Sequence, residues 1–543
     1  MRREAEERDA QRIAEKNNLR YADLSTAPIN IEALALISKE MAEKAGVAAI
    51  EIKEKKVVLT VLNPENPQTK EVVKKLESSG YQPSIFVVSL SGLKHIWDFY
   101  KFVSSHQEKI TGKVKIEEGK LLELKNTLTS LESVKESIVD LNNEAFSASQ
   151  MLETMLAGAL ANKASDIHLE PAESSVKFRL RIDGLLHDIF TEIQKNVYVY
   201  LSSRIKLLSG LKLNIHNEAQ DGRFTISLSD KDIEIRTSVI PSEYGETMVL
   251  RILDPDTIKL ALSDLGFRED DLEITKKALE KPDGMILNTG PTGSGKTTAL
   301  YTFLQHARKP EIKIITIEDP IEYHLEGISQ TQVNTDAGYT FASGLRSILR
   351  QDPNIILVGE VRDLETAEIA IHSALTGHVV FSTLHTNDAS GAVPRLVDMG
   401  IKPSIISSAL NLIIAQRLIR RLCQNCKTAE ETSPDLKNKI AGFLEKLPVR
   451  VNKESYKDVK LFKPVGCEKC NSIGYKGRIG IFELLWVSDD MRRLIAKDAI
   501  EPEIKDMAIK NGMTTLQQDG VLKTILGMST FDEVERITGP IEW

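Results

Sequence analysis

Apolar residues change their period several times along this chain. Residues 1–20 are dense in charge and helix-prone. Beyond them, alternation takes over. Val47–Ile52 and Val57–Leu62 read as strands flanking a lysine-rich turn, and Ser84–Val88 reads as a further strand. Val72, Val73 and Leu76 give residues 69–79 the apolar face of a helix. Together they predict a small α+β domain over 21–102. Residues 103–120 are polar and lysine-rich and read as a linker. Leu121, Leu124, Leu128, Leu131, Ile138 and Leu141 then recur at helical spacing as one stripe, so 103–144 is linker plus an amphipathic helix. That helix either packs on its own domain or serves oligomerisation. Strand patterns such as Val176–Arg181 and Asp232–Thr237 predict a second α+β domain over 145–255. Residues 256–417 alternate strand and helix, the pattern of a mainly parallel α/β sheet. Residues 418–485 hold the cysteines, and 486–543 read as helical.

The candidate chemistry concentrates in the parallel-sheet segment. Gly290, Pro291, Thr292, Gly293, Ser294, Gly295, Lys296, Thr297 and Thr298 satisfy the phosphate-cradling pattern G-x-x-x-x-G-K-[ST]. An apolar strand, Met285–Leu287, precedes the run and a helix-forming stretch follows it, which is the context the motif requires. Glycines let backbone N–H groups turn toward phosphate oxygens, and the helix N-terminus adds a favourable dipole. Lys296 is placed to reach the β- and γ-phosphates, and the Thr297 hydroxyl to ligate Mg²⁺.

Three further segments follow the same logic. Ile314–Tyr323 is an apolar strand ending in Glu318, Asp319 and Glu322, either a solvated acidic loop or a source of the carboxylate that orients the attacking water. Ile355–Val358 leads into Gly359 and Glu360, where a carboxylate organises Mg²⁺ through water. His378 and His385 flank the strand between them; each reads as a structural histidine or, for His385 at the carboxyl end, as a γ-phosphate sensor. Positive charge for the transition state has four candidates, Arg223, Arg236, Arg346 and Arg350, each also readable as an ordinary surface arginine. Cys423, Cys426, Cys467 and Cys470 form two C-x-x-C knuckles separated by 40 residues. They supply four thiolates for a closed, structural Zn²⁺ site, or else redox dithiols or free thiols.

Charge and composition narrow the classes. Lys and Arg number 70 against 78 Asp and Glu, a formal net charge of -8, which argues against a general nucleic-acid binder. No apolar run has the length of about 18 residues that spans a bilayer, and the charged N-terminus has no signal-peptide character. Paired cysteines in a long chain fit a reducing compartment, so the cytoplasm is the expected location.

Taken together, these motifs resemble the secretion-ATPase superfamily of type II secretion and type IV pili. Four family boxes match in order: Walker A at 290–297, an acidic box at 315–323, an atypical Walker B at 355–360 and a histidine box at 376–386. The likeness extends to Ser165–Pro171, Arg181–Gly184, Gln220–Arg223 and Gly245–Thr247, and to Gln416–Leu418 and Gly474–Glu483. It implies a RecA-like ATP-hydrolysing core behind two α+β domains, the second PAS-like, with a zinc lobe. It also implies a homohexameric ring that turns an inner-membrane platform protein from the cytoplasmic side. Glu322 becomes the catalytic glutamate and Glu360 the Walker B residue. Arg223 and Arg236 reach the nucleotide, while Arg346 and Arg350 act at or across a subunit boundary. Retraction motors of this superfamily lack the tetracysteine lobe and the first domain. Residues 21–102 resemble the first domain of pilus-extension motors, so an extension motor is expected. A type II secretion ATPase and a nucleotide-gated adaptor with little turnover are the alternatives. Some relatives bind cyclic di-GMP through a glycine- and leucine-bearing arm; residues 2–18 contain no glycine, so no such binding is expected.

Overall fold

The computed structural model describes residues 2–24, 30–53, 55–102, 113–114, 118–143, 148–228 and 231–543. Most of the expected linker, Ser25 of the first-domain likeness, and the start of the second α+β domain at 145–147 lie outside the described residues. The chain divides into two compact units after Asp254.

The first unit holds two sheets. Strands β1 (Arg20–Tyr21), β2 (Val47–Lys53), β3 (Lys56–Val61) and β4 (Gln82–Val87) form the order β1-β4-β3-β2, the expected small α+β domain. Strands β2 and β3 pair antiparallel. The second sheet contains β5 (Lys113–Val114), β6 (Asp166–Pro171), β7 (Ser175–Ile182), β8 (Leu185–Gln194), β9 (Gln220–Ser227), β10 (Asp232–Ser242) and β11 (Gly245–Leu253), ordered β5-β9-β10-β11-β6-β7-β8. Alternation on β7 buries Val176, Phe178 and Leu180 and turns Arg179 and Arg181 to the opposite face.

The single helix expected over 121–141 is two helices, Glu118–Thr127 and Leu131–Asn143. The break has a side-chain cause. The Thr127 hydroxyl donates back to the Leu124 carbonyl at 3.0 Å, and Ser130 accepts from the Ser133 N–H at 3.1 Å, restarting the helix. Val134 and Ile138 of the second helix are fully buried, and a side chain added at Gly158 of the helix Ala148–Ala161 would meet Val134 at 2.7 Å. The stripe therefore packs on its own domain.

The second unit is built on one seven-stranded sheet. Its strands are β12 (Gly284–Thr289), β13 (Ile314–Glu318), β14 (Ser329–Gln332), β15 (Ile355–Val358), β16 (Val379–Leu384), β17 (Leu410–Leu422) and, later in the chain, β20 (Tyr475–Trp486). A short ribbon, β18 (Thr428–Ala429) with β19 (Phe462–Lys463), lies between the last two. The order is β14-β13-β15-β16-β12-β17-β20; all pairs are parallel except β17 with β20. Every residue of β12, β13, β15 and β16 is buried, as strands covered on both faces require. β17 runs across the boundary expected between 417 and 418. The segment expected as a separate cysteine lobe thus contributes β20 to the main sheet. The helices Pro434–Lys446 and Leu516–Ile525 share one apolar core with it through Ile440, Phe443, Val521 and Leu522.

Candidate active site

In a parallel sheet the carboxyl ends of the strands share one edge, and ligand sites form in the crevice beyond it. Here β12, β13, β15 and β16 deliver to that edge the phosphate loop, the acidic segment, Glu360 and His385. The four boxes, spread over about a hundred residues, become neighbours because β15 and β16 insert between β13 and β12.

The phosphate loop turns from β12 into the helix Lys296–Ala307. Gly290 has φ +150°, and a Cβ there would lie 2.6 Å from the Gln416 carbonyl, so only glycine lets the loop pass so close to β17. The Lys296 ammonium donates to the carbonyls of Gly290 at 2.6 Å and Pro291 at 3.1 Å. Burial and the nearby Arg417 charge bring its pKa down to about 8, against the opposing pull of Glu360 and Glu322. Ser294 Oγ is buried with no hydrogen-bond partner among the described residues. An ammonium folded onto carbonyls, beside an orphaned hydroxyl at a helix N-terminus, offers the donors that an anion takes. Thr297 and Glu360 contribute oxygen donors, the ligand class that suits Mg²⁺.

The three acids after β13 part company. Glu318 is buried and accepts hydrogen bonds from the Tyr301 hydroxyl, from Thr316 Oγ1 at 2.5 Å and from Gln330 Nε2 at 3.2 Å. It ties the phosphate-loop helix to β13 and β14. Asp319 is exposed. Glu322 is the acid whose charge reaches Lys296. Glu360 is held between Arg362 Nη2 at 2.5 Å and His385 Nε2 at 3.4 Å.

His378 sits at the other end of β16, with Nδ1 3.0 Å from the Ser373 carbonyl, so the sheet separates it from His385. Arg346 pairs with exposed Glu365 at 2.5 Å, and Arg350 bonds back to Arg346 and Ser347 of its own helix. Among the described residues, neither forms a hydrogen bond or ion pair with the phosphate loop. In the first unit, Arg223 and Arg236 are cross-strand partners that flank Glu234. Strand register extends this pair into a row on one face: Arg223, Arg236, Arg251, Asp166, Arg181. Sequence reasoning missed Arg251, although the alternation of β11 marks its face. It also missed Arg362 and Arg417.

The cysteines converge. Cys423 follows β17 and Cys470 precedes β20, and the antiparallel pairing of Leu422 with Tyr475 closes the 40-residue gap. The four sulfurs lie within 4.8 Å of one another. Cys423–Cys467, Cys426–Cys470 and Cys467–Cys470 are 3.9, 3.7 and 3.7 Å apart. A tetrahedral zinc with bonds of about 2.3 Å needs sulfurs about 3.8 Å apart, so the set fits. Burial raises the Cys470 thiol, but N–H groups of Cys467 and Gly474 pointing at its sulfur bring it down to about 7.

Residues 142–536 match the model of the Type II/IV secretion system protein family. The chain belongs to that family. Type II secretion system protein E of Pectobacterium carotovorum subsp. carotovorum is 44% identical over 72% of this chain and 75% of its own. The type IV pilus assembly ATPase PilB of Myxococcus xanthus is 36% identical over 95% of this chain and 88% of its own. The solved structure of the ATPase DotB of Yersinia pseudotuberculosis shares the fold, with TM-score 0.52 and 19% identity over 72% of this chain and 94% of that one. The chain is a secretion-family ATPase, and its phosphate loop, acidic segment, Glu360 and His385 lie along one edge of the sheet.

Proposed function

We propose that this ATPase drives pilus extension, as a cytoplasmic homohexamer working on an inner-membrane platform protein. The extent of its likeness to PilB carries the reading: it covers 95% of the chain, against 72% for protein E. The presence of a first α+β domain over 21–102 supports it as well. The higher identity to protein E, 44% against 36%, favours the second reading, a type II secretion ATPase.

The chemistry is attack of water on the γ-phosphate. Phosphate-loop N–H groups and Lys296 hold the phosphates. Glu322 orients the water and takes its proton. His385 holds Glu360 in place and reports the γ-phosphate. Thr297, and Glu360 through water, would hold Mg²⁺, which supplies positive charge to the phosphate oxygens. Arg223, Arg236, Arg346 and Arg350 complete the charge around the nucleotide as the ring assembles. The four thiolates would hold Zn²⁺ as a structural staple between the ends of β17 and β20.

Deleting the gene in its native organism is expected to abolish surface pili and leave exported proteins unchanged. Loss of exported proteins with pili intact would overturn the pilus reading in favour of export.

A further inference from the structure

The segment after β16 is held from three strands. From β12, Thr289 Oγ1 accepts from the Thr386 N–H at 2.9 Å. From β20, the buried Glu483 accepts from the Ala389 N–H at 2.9 Å. From β17, Arg417 Nη2 donates to the Asn387 carbonyl at 2.7 Å, while its Nη1 donates to the Gln416 carbonyl at 3.0 Å. Arg417 follows directly on Ala415 and Gln416, and Ala415 pairs with Thr289. Strand register thus sets it level with the start of the phosphate loop. Its Nη1 lies 2.8 Å from where a Cβ at Gly290 would be.

Arg417 is half-buried and forms no ion pair within 4 Å among the described residues, where its two hydrogen bonds go to backbone carbonyls. A partly desolvated guanidinium whose hydrogen bonds go to carbonyls, with the Glu483 and Asp388 charges nearby but unpaired with it, adds little stability. Its fork does offer something a single-point cation does not, two donors fixed in one plane. Here the fork spans the phosphate-loop side of β17 and the segment that carries His385, whose Nε2 stands 3.4 Å from Glu360.

We propose that Arg417 is a positioning residue for hydrolysis: it ties residues 385–389 to β17 beside the first glycine of the phosphate loop and so sets His385 against Glu360. Arg417 touches no reacting atom in this scheme and acts through the Asn387 carbonyl. The inference rests on the ATPase reading of the site.

The test uses the full chain and compares steady-state ATP hydrolysis, binding of fluorescent ADP, and melting temperature. The variants are Arg417→Gln, Arg417→Lys, His385→Ala and Arg417→Gln/His385→Ala. Arg417→Gln is expected to lower kcat by about tenfold or more, with ADP affinity within about threefold of the parent and melting little changed. Arg417→Lys, retaining one donor point, is expected to recover part of the loss. The double variant should be no slower than the worse single one, because both changes break one chain of contacts. Should Arg417→Gln not fold, the same split between kcat and ADP affinity is expected of Arg417→Lys alone. The proposal is overturned by an unchanged kcat, by equal losses in kcat, ADP affinity and melting temperature, or by a double variant whose effects multiply. A parent chain that hydrolyses no ATP would fail the ATPase reading itself, a result separate from any of these.

Discussion

Glu318 and Glu322 lie four residues apart and have opposite surroundings. Glu318 is buried under three hydrogen bonds, whereas Glu322 faces the Lys296 charge at the edge of the sheet. Glu318→Gln places an N–H₂ group where a carboxylate oxygen accepts from donors. It is therefore expected to lower the melting temperature, with a destabilisation of about 1–3 kcal/mol. Glu322→Gln is expected to leave melting unchanged and to lower hydrolysis by about a hundredfold or more while ADP still binds. Thermal melts and turnover assays on the two variants check the contrast; the reverse pattern would exchange their roles. A second carboxylate gives a pH signature. Burial works against ionisation of Glu533, but hydrogen bonds from Arg420 and Arg536 hold its pKa down at about 2, from an ordinary 4.5. A depressed carboxylate stabilises the fold above its unfolded pKa and loses that stabilisation as pH falls through the folded one. The parent should thus exceed Glu533→Gln by up to about 3 kcal/mol at pH 7, with the gap closing between about pH 4.5 and 2, as melts across pH would show. The phosphate loop was legible because all its parts are adjacent in sequence. Arg417 was not, because strand pairing brings it to Gly290 from more than a hundred residues away.

Among the elements, the strands of the parallel core were readable as buried apolar runs, while their order was not. Which strand lies beside which is set by crossover connections, and the meeting of Glu360, His385 and the phosphate loop follows from that order. The amphipathic stripe over 121–141 gave the right face but hid the break at Leu128–Ser130, where hydroxyl groups compete for backbone partners. The cysteine gap shows the same limit. The spacing offered four thiolates for one site, but not how forty residues close; the pairing of β17 with β20 brings the knuckles to a shared end. Purified protein is expected to contain about one zinc per chain. Stripping it with a chelator, or Cys467→Ser, should lower the melting temperature by several degrees, since the staple joins two strands of the main sheet. Metal analysis with melting curves checks this, and a zinc-free chain with unchanged melting would contradict it.

For the molecule as a whole, composition and the four boxes pointed to a multidomain ATPase. The chain divides into two compact units after Asp254. The lobe boundary at 417 was placed by composition, which cannot register a strand that continues through it. Two of the proposed arginines, Arg346 and Arg350, bond to their own helix or to Glu365, and among the described residues form no bond to the phosphate loop. The site is thus proposed to reach full activity only when copies assemble. Steady-state ATP hydrolysis, with the mass of the assemblies measured alongside at several protein concentrations, tests this most directly in the parent chain and in Glu322→Gln. Hexamers whose activity per chain rises as they form are expected in the parent, and hexamers without turnover in the variant. Turnover per chain that is the same in monomers as in hexamers, or that survives in Glu322→Gln, would contradict it.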